Sequence, residues 1–280
     1  MINKVAIVGA GNISSTIAIS LAKAGIHVIV KSRYDKNKIF SLIEPRLSKG
    51  IEKGKLSLQE KKKIIENISG TTDLSDISQV HLVIESIVDD LEKKKVLFKE
   101  MDKICSPQSI FASNTSSLSI NEIASATQRQ EHFIGLHFFN PADVIPLVEI
   151  VRTDSISPEV LEGIKSFITI IGKEYVIVKD SPGFIVNRLL ILMLNEAINM
   201  VNEGISTVED IDRGMQLGAN HPMGPLALAD YIGLDTLLTI TNNLFQQFGE
   251  KYRSSQLLER MVREGKLGKK TGKGFYDYKN

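Results

Sequence analysis

The sequence predicts an α/β domain built on a mostly parallel sheet, followed by an all-α domain, with the boundary near residue 180. Three observations predict it. Short β-branched runs alternate with helical patterns through the first half of the chain. A glycine pair, Gly9-Ala10-Gly11, lies directly between the first strand pattern and the first helix pattern. Beyond Lys179 no convincing strand pattern occurs, only helical periodicity punctuated by Gly and Pro. The expected domains are residues 1–180 and 181–280.

Taken in order, Lys4-Val5-Ala6-Ile7-Val8 reads as a buried strand and Ile13 to Ala24 as a helix ended by Gly25. His27-Val28-Ile29-Val30 is a second strand, and Leu82-Val83-Ile84 and Ile110-Phe111-Ala112 are later ones. This spacing implies βαβ units and a sheet covered on both faces. Ile39 to Asn67 is rich in Lys and Glu with spaced Ile and Leu, a helical excursion longer than a plain crossover. Ser181-Pro182 looks like an N-cap with Pro at the first helical position. The helix expected from Gly183 to about Glu203 is apolar nearly all round, so it is buried in a core or in a subunit interface.

Composition narrows the function classes. Of 280 residues, Lys+Arg 34 against Asp+Glu 33 leaves a formal charge of +1, without the basic excess of a dedicated nucleic-acid binder. The longest apolar run, Leu189 to Leu194, falls far short of a membrane span. The opening runs straight into a strand, with no secretory pattern. One cysteine, Cys105, permits no internal disulfide, and the five histidines (27, 81, 132, 137, 221) show no paired ligand spacing, so no metal is expected. These features point to a cytoplasmic protein that touches neither nucleic acid nor membrane.

Gly9 and Gly11, followed by Asn12 and Ile13 at the helix start, suit a turn on which a dinucleotide pyrophosphate rests at the positive end of a helix. Residue 14, where a third fingerprint glycine belongs, is Ser14. At the end of the second strand a carboxylate would hold an adenosine ribose. The chain has Lys31-Ser32-Arg33 instead, where Ser32 and Arg33 suit a phosphate dianion. This favours NADP(H) over NAD(H); the alternative is a solvated basic loop.

At Ser113-Asn114-Thr115-Ser116-Ser117-Leu118 and Gly135-Leu136-His137-Phe138-Phe139-Asn140-Pro141 a resemblance becomes specific. It continues through Leu147-Val148-Glu149, Pro182 to Arg188, Leu217 to Pro225 and Gly272-Lys273-Gly274-Phe275-Tyr276. The chain resembles the short-chain 3-hydroxyacyl-CoA dehydrogenases over essentially its whole length, and most of all their bacterial 3-hydroxybutyryl-CoA branch. The resemblance implies a Rossmann-type N-terminal domain, a helical C-terminal domain that dimerises, and a nicotinamide cofactor. It implies interconversion of a (3S)-3-hydroxyacyl thioester, 3-hydroxybutyryl-CoA above all, with the 3-oxoacyl form. His137 falls on the family's catalytic His and Glu149 on its carboxylate partner. Ser116 and Asn187 fall on the Ser and Asn of the substrate pocket. Asp89 (usually Glu), Lys94, Asn114 and Asn140 fall at cofactor and nearby pocket contacts. Ser14 and Thr16 stand where relatives have glycines, Ser32 replaces the ribose-binding Asp, and the segment Pro141 to Pro146 is altered.

The residues themselves support part of this. His137 closes the apolar run Phe133-Ile134-Gly135-Leu136, and Glu149 sits within Leu147-Val148-Glu149-Ile150-Val151. In an antiparallel hairpin centred on Asp143 the two would face each other. A carboxylate accepting from one imidazole nitrogen then fixes the tautomer for acid–base work; the alternative is a satisfied core His and a structural ion pair. Ser116 either holds a substrate oxygen or caps a loop. Asn187, among apolar neighbours in its helix, makes a packing bond or a ligand contact. Lys53 belongs to a lysine-rich face that is either solvated or, by the resemblance, a contact for coenzyme A phosphates. Two rival functions remain: a dehydrogenase of acyl-carrier-protein-linked units in polyketide-type biosynthesis, and a catalytically silent dinucleotide binder.

Overall fold

Val5, Ala6, Ile7 and Val8 are almost wholly buried in the first strand, β1 (Lys4–Val8), as a strand covered on both faces requires. The computed structural model describes residues 2–278, and the chain divides into two units between Ser181 and Pro182.

In the first unit β1 leads through α1 (Asn12–Lys23) to β2 (His27–Lys31). The Lys-rich excursion then resolves into two helices, α2 (Lys38–Glu52) and α3 (Leu58–Glu66), followed by β3 (Ile68–Thr71). The break between the helices is a capping box: Ser57 Oγ accepts from the Glu60 N–H while the Glu60 carboxylate accepts from the Ser57 N–H. Next come β4 (Leu82–Glu85), α4 (Leu91–Ile104), β5 (Ile110–Ser113), the short α5 (Ile120–Ala124), β6 (Phe133–Phe138), β7 (Leu147–Arg152), α6 (Pro158–Ile170) and β8 (Glu174–Lys179). The eight strands form one sheet in the order β3-β2-β1-β4-β5-β6-β7-β8. Every neighbouring pair is parallel except β6 with β7. The run 3-2-1-4-5-6 is the doubly wound order, with ligand crevices outside the carboxyl ends of its strands.

The second unit is helical: α7 (Val186–Asn202), α8 (Val208–Gly218), α9 (Pro225–Ile232), α10 (Leu234–Phe248) and α11 (Gln256–Arg263). Its core joins Leu194, Ile198, Leu226, Leu237, Leu244 and Leu258. Among its described residues the only β pairing is two isolated bridges at Gly268–Lys273 and Lys273–Asp277. The helix expected from Gly183 starts three residues later, at Val186. Gly183 and Phe184 have φ of 74° and 50°, left-handed values that no α-helical turn admits. A Cβ on residue 183 would also lie 2.8 Å from Leu244 Cδ2. Nor is α7 buried all round, for Leu189 is 67% exposed within the single chain.

Candidate active site

The carboxyl ends of β2, β1, β4, β5 and β6 lie along one edge of the sheet, and the candidate residues of the first unit other than Lys53 lie on or near them. At the end of β1, Gly9 has φ of 120°, and its N–H donates to Lys31 O. A Cβ at this position would stand 2.4 Å from the Ser86 carbonyl oxygen, so only glycine lets the two strand ends approach this closely. Gly11 is the N-cap of α1 and offers no side-chain cap, which leaves the first-turn amides of Asn12 and Ile13 to other acceptors. Ser14, in the third fingerprint position, is wholly buried, and its Oγ has no hydrogen-bond partner among the described residues.

Beside this turn lies a cavity of about 840 Å³, lined by Gly9, Gly11, Ser32, Arg33 and Ser86 with an apolar wall that includes Val88 and Leu97. Its size and mixed lining suit a nucleotide. Ser32 is buried, and its hydroxyl donates to Asp35 O. Arg33 is exposed, its guanidinium 5.0 Å from the Tyr34 ring centroid, and Lys38 and Asp35 complete this end of the cavity. Lys31, Arg33 and Lys38 therefore line the cavity beside the position where a ribose-binding carboxylate is usual, but the carboxylate of Asp35 lies between the last two in the chain, and Glu92 and Glu100 line the cavity as well.

A buried polar chain runs from β4 to the loop after β5. Glu85 is fully buried; its Oε1 accepts from Lys94 Nζ at 2.6 Å and from the Ile87 N–H at 2.7 Å, and its Oε2 from Ser113 Oγ at 2.6 Å. Lys94 Nζ also lies 3.3 Å from Asp89 Oδ1. The far oxygen of Asp89 accepts from Ser116 Oγ at 3.1 Å and from the Ser116 N–H at 3.3 Å. Lys94, expected at the cofactor, is thus completely buried behind Asp89; it neutralises that carboxylate and reaches no open surface. Sequence reasoning missed Glu85. The available signal was a lone charged residue ending a fully apolar strand at the ligand edge.

Asn114 joins three strand ends: its Oδ1 accepts from the Phe138 N–H at 2.8 Å, and its Nδ2 donates to Ser86 Oγ at 3.4 Å. One strand over, the β6–β7 register sets His137 directly opposite Glu149. His137 Nδ1 and Glu149 Oε2 are 2.6 Å apart, with Glu149 fully buried and His137 6% exposed. A carboxylate oxygen in this contact accepts from Nδ1–H, so in the neutral form of the ring the lone pair is on Nε2. The Phe139 ring lies 4.5 Å from the imidazole centroid. Asn140 is exposed and precedes a cis peptide to Pro141. Lys53 is exposed at the C-cap of α2, and Asn187 is half-buried in the first turn of α7, in the second unit. Among the described residues no group of three or more His, Cys, Asp or Glu is placed to hold a metal ion, and no helix is long and apolar enough to cross a membrane.

Residues 4–181 match the family model for the 3-hydroxyacyl-CoA dehydrogenase NAD binding domain, and residues 183–278 match that for the 3-hydroxyacyl-CoA dehydrogenase C-terminal domain. The chain is 44% identical to 3-hydroxybutyryl-CoA dehydrogenase of Clostridioides difficile over 278 residues, which covers 98% of this chain and 99% of that one. It is 40% identical to human mitochondrial hydroxyacyl-coenzyme A dehydrogenase, covering 100% of this chain and 92% of the other. The crystal structure of (S)-3-hydroxybutyryl-CoA dehydrogenase from Ralstonia eutropha superposes with a TM-score of 0.94 at 41% identity, each chain covered completely.

Proposed function

The chain belongs to the 3-hydroxyacyl-CoA dehydrogenase family, and from that premise we propose that it interconverts a (3S)-3-hydroxyacyl thioester and its 3-oxoacyl form, 3-hydroxybutyryl-CoA and acetoacetyl-CoA foremost. The observation that carries the reading is the buried His137–Glu149 pair at the ligand edge of a sheet with a dinucleotide-type turn.

The cofactor fits the residues present: Gly9 is kept free of a side chain, α1 presents uncapped amides, and the adjoining cavity is of nucleotide size. These residues would hold a nicotinamide cofactor, which would supply hydride chemistry at carbon 3 of the substrate. The protein's own part is proton handling. In the oxidation direction His137 Nε2 takes the hydroxyl proton; in reduction the imidazolium returns it. Glu149 accepts from Nδ1–H, which keeps the tautomer fixed and balances the charge that the ring acquires. Ser116, whose hydroxyl rests on Asp89 with Lys94 behind it, turns its O–H to the substrate 3-oxygen, whose own proton points at His137 Nε2. For Asn187 and Lys53 the reading rests on the family pattern alone, an amide for the acyl thioester and a contact for the coenzyme A phosphates.

The coenzyme is NADP(H) in preference to NAD(H), on the strength of Ser32, Arg33 and Lys38 at the adenosine end of the cavity. A second reading rests on Asp35 in the same wall, whose carboxylate would take over the ribose contact and favour NAD(H). The working form is a homodimer, in which α7 with its exposed Leu189 faces a second copy.

The test is the initial rate of acetoacetyl-CoA reduction with NADH and NADPH in parallel, followed at the nicotinamide absorbance, with the acetoacetyl acyl-carrier-protein as a second substrate. Faster turnover with NADPH supports the basic loop as a 2′-phosphate site, whereas a preference for NADH assigns the ribose to Asp35. Turnover confined to the carrier-protein substrate moves the proposal to that class. No turnover with any combination overturns it in favour of a binding-only member.

A further inference from the structure

Two departures from the family pattern, Thr16 in the glycine fingerprint and Asp143 in the altered 141–146 segment, come together in the fold. The segment joins the strands that carry His137 and Glu149, and it leaves β6 at the ligand edge of the sheet. Thr16 sits one turn into α1. Its Oγ1 donates to Ile13 O at 2.9 Å and accepts from the buried Ala142 N–H at 3.1 Å. Asp143 receives both arms of the Arg46 guanidinium from α2, at 2.6 and 2.8 Å. Lys173, just before β8, is buried, and its Nζ donates to Ile145 O at 2.7 Å. Three residues of the loop, Ala142, Asp143 and Ile145, are therefore pinned to α1, to α2 and to the residue before β8, one of them through a bidentate pair whose geometry tolerates little displacement.

We propose that Thr16, Arg46 and Lys173 are positioning residues that hold residues 140–146 as a fixed wall for the acyl thioester beside His137. The proposal rests on the reading of His137 as the acid–base group. A substrate atom within hydrogen-bond reach of Nε2 lies about 3 Å from a side chain two residues short of the loop, so the neighbouring atoms of the thioester meet the segment that follows. A wall ordered before binding loses no conformational freedom when substrate arrives, and its backbone stays where the reacting geometry needs it. The arrangement also accounts for Thr16: a glycine there has no side-chain oxygen for the buried Ala142 amide.

The variants Thr16→Val and Arg46→Leu separate this role from simple support of the fold. Each should raise KM for acetoacetyl-CoA about tenfold, while KM for the nicotinamide cofactor stays within about twofold. Thr16→Ser, which keeps the hydroxyl, and the charge swap Arg46→Asp with Asp143→Arg should bring the thioester KM back to within about threefold of wild type. Melting temperatures taken alongside identify any variant that fails to fold, and Asp143→Asn then serves as the milder break. Wild-type turnover with an unmoved thioester KM in the folded variants overturns the tether alone. Equal changes in both KM values, with no rescue by Thr16→Ser, reduce it to general stability and likewise overturn it. Absence of wild-type turnover overturns the functional reading itself, and the tether with it.

Discussion

Replacing Glu149 by Gln removes one charge from a fully buried contact and leaves its shape in place. The glutamine carbonyl still accepts from His137 Nδ1–H, so the tautomer survives and the neutral resting state changes little. What disappears is the negative charge beside the imidazolium formed during turnover. With charge centres roughly 4 Å apart, an effective dielectric of about 20 gives about 4 kcal/mol. At about 1.4 kcal/mol per decade that corresponds to a kcat loss approaching a thousandfold. Relaxation and entering water reduce it, so a loss of about a hundredfold to a thousandfold is expected. The assay is (3S)-3-hydroxybutyryl-CoA oxidation at saturating cofactor, the direction in which the imidazolium forms, with thermal unfolding measured in parallel. A kcat within about threefold of wild type in a folded protein would refute the reasoning, because the carboxylate would then be a packing partner only.

Three further outcomes follow from buried groups. Lys94→Met leaves Glu85 and Asp89 without their cation and should cost about 3–5 kcal/mol of stability by denaturant unfolding, much of it recovered when Glu85→Gln is added. Ser14→Ala deletes a buried hydroxyl that has no partner among the described residues; it should stabilise the fold by about 1 kcal/mol, and a lower melting temperature would contradict the account. Burial pushes the Cys105 thiol up to about 11, so at pH 8 only about one molecule in a thousand carries the thiolate. Labelling by a thiol reagent should be slow in the folded protein and fast in denaturant; rapid native labelling would count against the burial.

The parts of this molecule that are local in sequence were legible, and the parts made by distant residues were not. Because side chains alternate with a period of two, counting outward from Asp143 suffices to set His137 against Glu149, as the register has it. The glycine turn is legible for the same reason, lying within one strand-to-helix step. By contrast, β3 has only four residues, two of them Ser and Gly, and offers no hydrophobic pattern. The start of α7 was misplaced because Ser181-Pro182 is a sound cap signal, overridden by the left-handed backbone of Gly183 and Phe184. The capping box Ser57-Leu58-Gln59-Glu60 would have divided the long excursion correctly. Glu85 with Lys94, and Arg46 with Asp143, are pairs that only the packing of helices on the sheet creates, and no spacing rule announces them.

The reversal of β7 against β6 has a consequence for how such a site is inherited. His137 and Glu149 lie on one hairpin, twelve positions apart, whereas the dinucleotide turn is more than a hundred residues upstream. The proton-handling pair can close early in folding, since bringing together the ends of so short a loop takes little chain ordering. It is also nearly self-contained as an inherited block. Substitutions at the coenzyme end, such as those at residues 14 and 32, can accumulate without disturbing the imidazole–carboxylate contact. One lineage can thus exchange its coenzyme while it keeps its acid and base.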